Sequence, residues 1–394
     1  MRRDPFGEIH ESTTMGETVR AFVPPSLPPS PPLSFTVATQ AALDRALLTL
    51  GRLDGVATTL PDADLLLYTF VRKEAVLSSN IEGTQSTLDD LLQHEVDSVP
   101  NALVDDVREV SRYVEAMNHG LDRIRGGFPL SNRLLREMHQ ILLAGGRGGQ
   151  KQPGEFRRSQ NWIGGTRPGN AAFVPPPPHR LEECLTDLER YLHEPGNAIV
   201  KAALAHMQFE TIHPFLDGNG RVGRLLITLM LCSEGVISKP LLYPSLYFKE
   251  NRADYYAELN AVRQSGDCER WIDFFSEGIR HSAQVAITTG QRIAKVFAED
   301  RAQLKQVPRT AGNLLLVQEA LQAKPVTTIA ALSKATGLTT PTVTTALKDL
   351  EARGIIKEVT GRARDRVFVY SRYMDAMATD EETPQPQDTG IPTL

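Results

Sequence analysis

Two runs of this sequence, "NAIVKAALAHMQFETI" and "GRLLITLMLCSEG", are apolar around most of a helical circumference, and the stretch "IHPFLDGNGRVGR" joins them. A helix that is apolar on every side has to be buried on every side, so the rest of the chain must build a body around this pair. The loop between them is then gripped at both ends and held rigid. The rest of the chain is suited to that task. From Thr39 to about Arg125, apolar residues recur at three- and four-residue intervals in "QAALDRALLTLGRL", "ADLLLYTFVRKEAVLSS" and "LVDDVREVSRYVEAMNHGLDRI". "LSNRLLREMHQILLAG" and "RLEECLTDLERYLHE" continue the pattern. The expected fold class is mainly α.

One interruption stands out. In "PGEFRRSQNWIGGTRPGNAAFVPPPPHR", Trp162 with Ile163 and Phe173 with Val174 flank a "GGTRPGN" turn region, which predicts a hairpin projecting from the helices. Upstream, "FVPPSLPPSPPLSF" is too proline-rich for a helix or a central strand and should run as an extended strap along its own domain, or present itself to another protein's aromatic groove. Downstream, the helical pattern continues to about Gln306 and "VPRT" opens a segment of different character. Helix "AGNLLLVQEALQA", helix "TIAALSKATG", helix "TPTVTTALKDLEARG" and two strands in "IIKEVTGRARDRVFVYS" follow. That is the order of a winged helix-turn-helix. The end, "TDEETPQPQDTGIPTL", is acidic and proline-containing and reads as disordered.

At 394 residues the chain has room for two or three domains. With 41% hydrophobic residues, 23% charged residues and a formal charge of -5, nothing global points to nucleic acid. Cys184, Cys232 and Cys268 lie far apart with no C-x-x-C pair, which indicates neither a disulfide framework nor a zinc site and fits a reducing cytoplasm. No stretch is apolar enough for a membrane span, and "MRRDPFGEIHESTTMGE" lacks the apolar core of an export signal.

The joining loop carries the chemistry. "DGNG" running into a helix leaves free backbone N–H groups at the helix N-terminus, and its glycines let a ligand approach the backbone closely. That is an anion site, most naturally for phosphates. Arg221 and Arg224, read as the first turn of the new helix, can add charge-assisted bonds to phosphate oxygens. Asp217 at the edge of the cradle is a carboxylate placed to hold Mg²⁺ with phosphate oxygens and water as the other ligands. His213, just before Pro214, can take a proton from a hydroxyl attacking phosphorus. Base, metal carboxylate, anion nest and arginines together suit transfer of a phosphorus-containing group from a nucleotide.

"HPFLDGNGRVGR" resembles, at every specified position, the signature H-P-F-x-[DE]-G-N-G-R-x-x-R of the Fic family, whose usual activity is AMP transfer from ATP to a protein hydroxyl. The resemblance implies His213 as general base, Asp217 on Mg²⁺, Gly218, Asn219 and Gly220 on the phosphates, and Arg221 and Arg224 on the phosphate chain. The phosphorylating Doc-like branch carries a lysine where Gly220 stands, so Gly220 favours adenylyl transfer. The division expected is a strap over 1–38, an N-terminal helical region over 39–125, the Fic core over 126–290, a helical linker over 291–308, the winged helix over 309–375 and a disordered tail over 376–394.

"SSNIEGTQ" fits the family's inhibitory pattern [ST]-x-x-x-E-[GN] with Ser78, Glu82 and Gly83. The resemblance implies that Glu82 binds Arg224 and blocks the productive pose of the γ-phosphate. In some relatives the same glutamate positions a water that removes AMP, so de-AMPylation is the alternative activity. The hairpin resembles the family's flap, which pairs with an extended segment of the target. "DYYAELNAVRQSGDCERWIDFF" resembles the stretch near the adenine pocket, with Tyr255 as the candidate contact to the base, while the asparagine some relatives use has no clear match around Arg263 and Gln264. A target protein, self-modification and a homodimer all fit the resemblance.

A reading of another class makes the chain a DNA-binding regulator. The candidate recognition helix offers Thr339, Thr340, Thr342, Thr344, Thr345 and Lys348, and the wing offers Arg362, Arg364 and Arg366. Basic side chains outnumber acidic ones about two to one in this segment of an acidic chain. A winged helix that docks protein instead is the competing role.

Overall fold

Every residue of the helix Ala198–Ile212 is buried, so the first apolar run lies at the centre of the molecule. The computed structural model describes residues 2–3, 6–14, 16–59, 64–96, 104–145 and 148–378. Its chain opens with an antiparallel hairpin, β1 (Glu8–Thr14) and β2 (Glu17–Val23), in register from Glu8 opposite Val23 to Thr14 opposite Glu17. The helical body follows as α1 (Val37–Thr59), α2 (Asp64–Ile81), α3 (Leu88–Val96), α4 (Val104–Arg125) and α5 (Asn132–Leu142). After the flap come α6 (Leu181–Leu192), α7 (Ala198–Ile212), α8 (Asn219–Ser233), α9 (Ser245–Glu250), α10 (Arg252–Ser265) and α11 (Cys268–Lys305). The winged helix comprises α12 (Ala311–Ala323), β3 (Val326–Thr328), α13 (Ile329–Thr336), α14 (Thr340–Ala352), β4 (Lys357–Glu358), β5 (Val367–Val369) and α15 (Ser371–Ala378), its sheet ordered β3-β5-β4.

Local chemistry sets the helix starts. Ser131 accepts from Leu134 N at the head of α5, Asn197 from Ile199 N and Val200 N at the head of α7, and Thr339 from Thr342 N at the head of α14. Each satisfies N–H groups that no helical carbonyl can reach. Packing then assembles the body. α7 pairs with α8, α6 and α11 close over α7, α4 joins α2, α5 and α8, and α1 lies along α11. The buried indole of Trp271 on α11 donates to Ala203 O at 2.7 Å, tying the longest helix to the central one. Among the described residues no helix is long and apolar enough to cross a membrane.

Four features depart from the expected layout. Within the stretch read as a strap, residues 8–23 form the β1–β2 hairpin; its first strand has too few apolar residues to signal itself and is placed by pairing with β2, which packs against Val174. Phe22 N donates to Val174 O at 2.9 Å, and Val19, Ala21 and Val174 form a small cluster. The proline-rich part beyond it lies along its own domain, with Gln208 Nε2 donating to Pro25 O and the Glu269 carboxylate accepting from Ser34 N. Helix α8 begins at Asn219, two residues before Arg221, because the αL conformation of Gly218 starts it there; Arg224 therefore lies in the second turn of the helix and not in the first. Helix α11 runs unbroken across the boundary expected near residue 290. Finally, α15 extends to Ala378 with Ala376 and Met377 buried, so the first residues assigned to the disordered tail are core; the rest of that tail lies outside the described residues.

Candidate active site

The loop after α7 turns on a strained residue. His213 has φ 49° and ψ 61°, a left-handed conformation that a residue with a Cβ adopts at a cost of roughly 1–3 kcal/mol unless its surroundings enforce it. Here the enforcement comes from an arginine. Arg157 is 2% exposed; its Nε donates to His213 O at 2.9 Å, and its Nη2 donates to Pro176 O at 2.5 Å and Ile212 O at 3.3 Å. Burial pulls the guanidinium down to about 10, still charged at neutral pH. From the opposite side, Asn219 closes the loop on itself, its Oδ1 accepting from Phe215 N at 2.8 Å and its Nδ2 donating to Phe215 O at 2.9 Å.

A third support is His139 on α5. Its Nδ1 accepts from Gly154 N at 2.9 Å, which leaves Nε2 as the protonated nitrogen donating to Asp217 O at 3.0 Å. The ring stacks on Phe215 with centroids 3.7 Å apart, and burial lowers its pKa to about 4, so it stays neutral. Arg157 and His139 were not singled out in the sequence. Their signals are faint: a doubled arginine in a turn-rich segment, and a lone histidine on an apolar helix face.

These supports bring most of the expected residues to one cavity of about 450 Å³, walled by His213, Asp217, Gly218, Asn219, Gly220, Arg224, Tyr255 and Glu82. The flap contributes Trp162, Ile163 and Phe173, with Ile163 and Phe173 exchanging backbone hydrogen bonds at 2.8 and 3.1 Å. His213 Nδ1 is buried without a hydrogen bond. Burial first, then the positive charges of Arg157 and Arg263, pull the imidazole down to about 3, with Glu82 acting the other way. It is therefore neutral at physiological pH, the form a base requires.

Arg224 is caged. Its Nε donates to Ser78 Oγ at 2.8 Å, and its Nη2 donates to Ser78 O at 3.0 Å and Glu82 Oε1 at 2.6 Å. Burial pushes the Glu82 carboxyl up, but the Arg224 charge outweighs it and holds the group below its ordinary range. Gly83 makes this aim possible: with φ 101° it turns the chain at the end of α2 and leaves the Glu82 side chain facing α8. Arg221 lies elsewhere. It is 3% exposed, bonds to Glu109 on α4 and sits 3.5 Å from Asp217 Oδ1, so its guanidinium backs the loop and does not wall the cavity. Asp217 Oδ1 also accepts from Gly218 N at 2.6 Å.

No three His, Cys, Asp or Glu side chains among the described residues form a metal-binding group. Asp217, one-third exposed at the cavity wall, fits Mg²⁺ only as a single carboxylate whose ion takes its other ligands from a nucleotide. Tyr255 is in the wall, but its hydroxyl is bonded to His206 Nε2 at 2.8 Å and the residue is only 1% exposed. Its more exposed neighbour Tyr256 shares the wall, and so does Asn260, one turn before Arg263 on α10. A further unexpected wall residue is Glu210, 7% exposed, with an unbonded Oε1 and a carboxyl that burial raises to about 7.

Comparison with known proteins places this geometry. Residues 40–122 match the Fic/DOC family N-terminal profile and residues 129–231 the Fic/DOC family profile. The chain is a Fic-domain protein. Residues 319–357 match a winged helix-turn-helix DNA-binding profile, so the Fic domain is followed by a winged helix. "Protein adenylyltransferase Fic" of Drosophila ananassae is 34% identical over 145 residues, 36% of this chain and 26% of that one. "Protein adenylyltransferase fic-1" of Caenorhabditis elegans is 32% identical over 152 residues, 38% of this chain and 27% of that one. The likeness therefore spans about a quarter of those relatives. A Fic family protein from Desulfovibrio desulfuricans G20 shares the fold at 20% identity with a TM-score of 0.56, over 87% of this chain and 98% of that one.

Proposed function

We propose that this Fic-domain protein is a protein adenylyltransferase, moving AMP from ATP to a serine, threonine or tyrosine hydroxyl of a target protein, and that Glu82 holds its rate down. The observation that carries the reading is the meeting of His213, the N-terminus of α8 and the caged Arg224 in one cavity. The target hydroxyl oxygen attacks the α-phosphorus of ATP and its proton passes to His213. With Nδ1 buried, Nε2 is the nitrogen that receives it. One P–O bond forms to the target, the P–O bond between the α- and β-phosphates breaks, and pyrophosphate leaves.

The backbone of Asn219 and Gly220 would offer N–H groups to the phosphates, joined by Gly218 N once Asp217 Oδ1 releases it. Arg224 reaches the phosphate chain once Glu82 lets go, and Arg221 acts through the position of Asp217. Mg²⁺ held by Asp217 and the nucleotide would offset phosphate charge as the leaving group departs. The flap would align an extended target segment along Ile163 and Phe173. The family names of the relatives support this reading, and the resemblance of "SSNIEGTQ" to the inhibitory pattern supports the role of Glu82. The winged helix is read as a duplex-DNA contact, supported by the description of the profile that it matches.

The test mixes purified wild type, Glu82→Gly and His213→Ala with Mg²⁺, α-phosphate-labelled ATP and cell lysate, and follows label on lysate proteins and on the chain itself. Label that rises with Glu82→Gly and vanishes with His213→Ala is expected. No label in any variant, with ATP, UTP or GTP, would overturn transfer and turn attention to AMP release from a modified substrate.

A further inference from the structure

The turn that carries Glu82 connects two helices that both rest on the winged helix. Along α2, Thr69 and Lys73 lie one helical turn apart and so share a face, while Glu74 and Ser78 share another. The first face meets α15. Thr69 Oγ1 and Tyr373 Oη are 2.8 Å apart, and Lys73 Nζ donates to Met377 O at 2.8 Å. None of Thr69, Lys73, Tyr373 and Met377 is more than 1% exposed. The second face meets the catalytic body, where Glu74 accepts from Ser245 Oγ at 2.6 Å and Ser78 holds Arg224. Helix α3, on the far side of the turn, is gripped as well: Leu92 packs with Val326 of β3, Val367 of β5 and Met374 of α15.

We propose that the winged helix is the clamp that keeps the brake closed: by fixing α2 and α3 it fixes the turn between them, and with it Glu82 on Arg224. The coupling needs no further contact, because α2 is one continuous helix whose opposite faces touch α15 and Arg224. A change in the grip of α15 on α2 then alters the fraction of molecules with Arg224 free, by as much as the grip distinguishes the two states. Lys348 of α14 and Arg364 of the wing are exposed and are not among the residues that pack on Leu92 or meet Thr69 and Lys73, so a ligand could occupy that face with the clamp in place.

This inference rests on the transferase reading, and the experiment separates the two. Full-length Tyr373→Phe and Lys73→Met, both close to isosteric, are compared alone and combined with Glu82→Gly, reading transfer from labelled ATP and hydrogen–deuterium exchange over residues 78–87. Each single variant is expected to raise transfer about three- to tenfold, the equivalent of one buried hydrogen bond, and to speed exchange in that segment. Added to Glu82→Gly, neither should raise transfer further. Unchanged exchange, or an equal rise in both backgrounds, would overturn the clamp. If Glu82→Gly itself transfers nothing, the transferase reading fails, and the exchange comparison alone decides for or against the clamp.

Discussion

The Glu82 carboxylate occupies the space a side chain on Gly220 would need: a Cβ there would fall inside the van der Waals envelope of Glu82 Oε1, while its next neighbour, Arg224 Nη1, would be 3.0 Å away. Gly220 has ordinary helical geometry, so only this crowding opposes alanine. Gly220→Ala is expected to cost about 2 kcal/mol of stability in the wild type and to be close to neutral in Glu82→Gly. A double-mutant cycle by urea denaturation measures the difference, and additive effects would contradict the contact.

The ion pair between Glu82 and Arg224 gives a pH signature. The folded carboxyl gives up its proton more readily than the unfolded one, whose pKa is 4.5. The pair therefore contributes its full stability above that value, and the contribution drains away as pH falls below it. Wild type should exceed Glu82→Gln by about 1–2 kcal/mol at pH 7, trimmed by the partial exposure of Glu82. The gap should hold from pH 8 to pH 6 and narrow below pH 4.5. A gap that widens on acidification would mean the carboxyl is protonated in the fold.

His213→Ala is expected to lower transfer about 10²- to 10⁴-fold, the usual loss when a positioned base is removed. Nucleotide affinity should stay within about threefold, because the α8 backbone supplies the anion site. Fluorescent-nucleotide titration separates the two; loss of binding together with turnover would make His213 structural.

Arg157 is the support whose removal the loop should tolerate least. Arg157→Met leaves the carbonyls of Ile212, His213 and Pro176 without this donor. A loss of about 2–4 kcal/mol is expected, with transfer falling too. The neighbouring exposed Arg158 is the control, and Arg158→Met should change thermal stability little.

Duplex DNA binding by the full chain should show in a gel shift at about 50 mM salt, and Arg362→Ala with Arg364→Ala should weaken it and flatten its salt dependence by about two counterions. No shift at that salt would leave the winged helix to protein contacts alone.

Much of this was legible in the sequence. The apolar runs around "IHPFLDGNGRVGR" announced a buried helix pair with a rigid loop, and the helical periodicity placed α12, α13 and α14 of the winged helix. The polar β1 strand and the short α15 helix were not legible, because β1 is held by its pairing with β2 and α15 by its packing on α2. In the site, His213, Asp217 and Arg224 were named by their types and spacing and Glu82 and Tyr255 by the family resemblance, while the wall residues Glu210, Tyr256 and Asn260 were not named. Nor were the supports: Arg157 and His139 act on backbone carbonyls brought near by the fold, and no local pattern announces such a partner.

By itself the sequence determined the secondary structure around the loop and the kinds of group it could present, since periodicity and residue chemistry are local properties. The tertiary structure realised the Glu82–Arg224 pair that the resemblance implied, and it alone decided that this pair crowds Gly220, that Arg221 turns back to Glu109, and that α15 contacts the helix leading to Glu82. Those are contacts between segments far apart in the chain, set by which buried faces pack together and which buried charges must be paired.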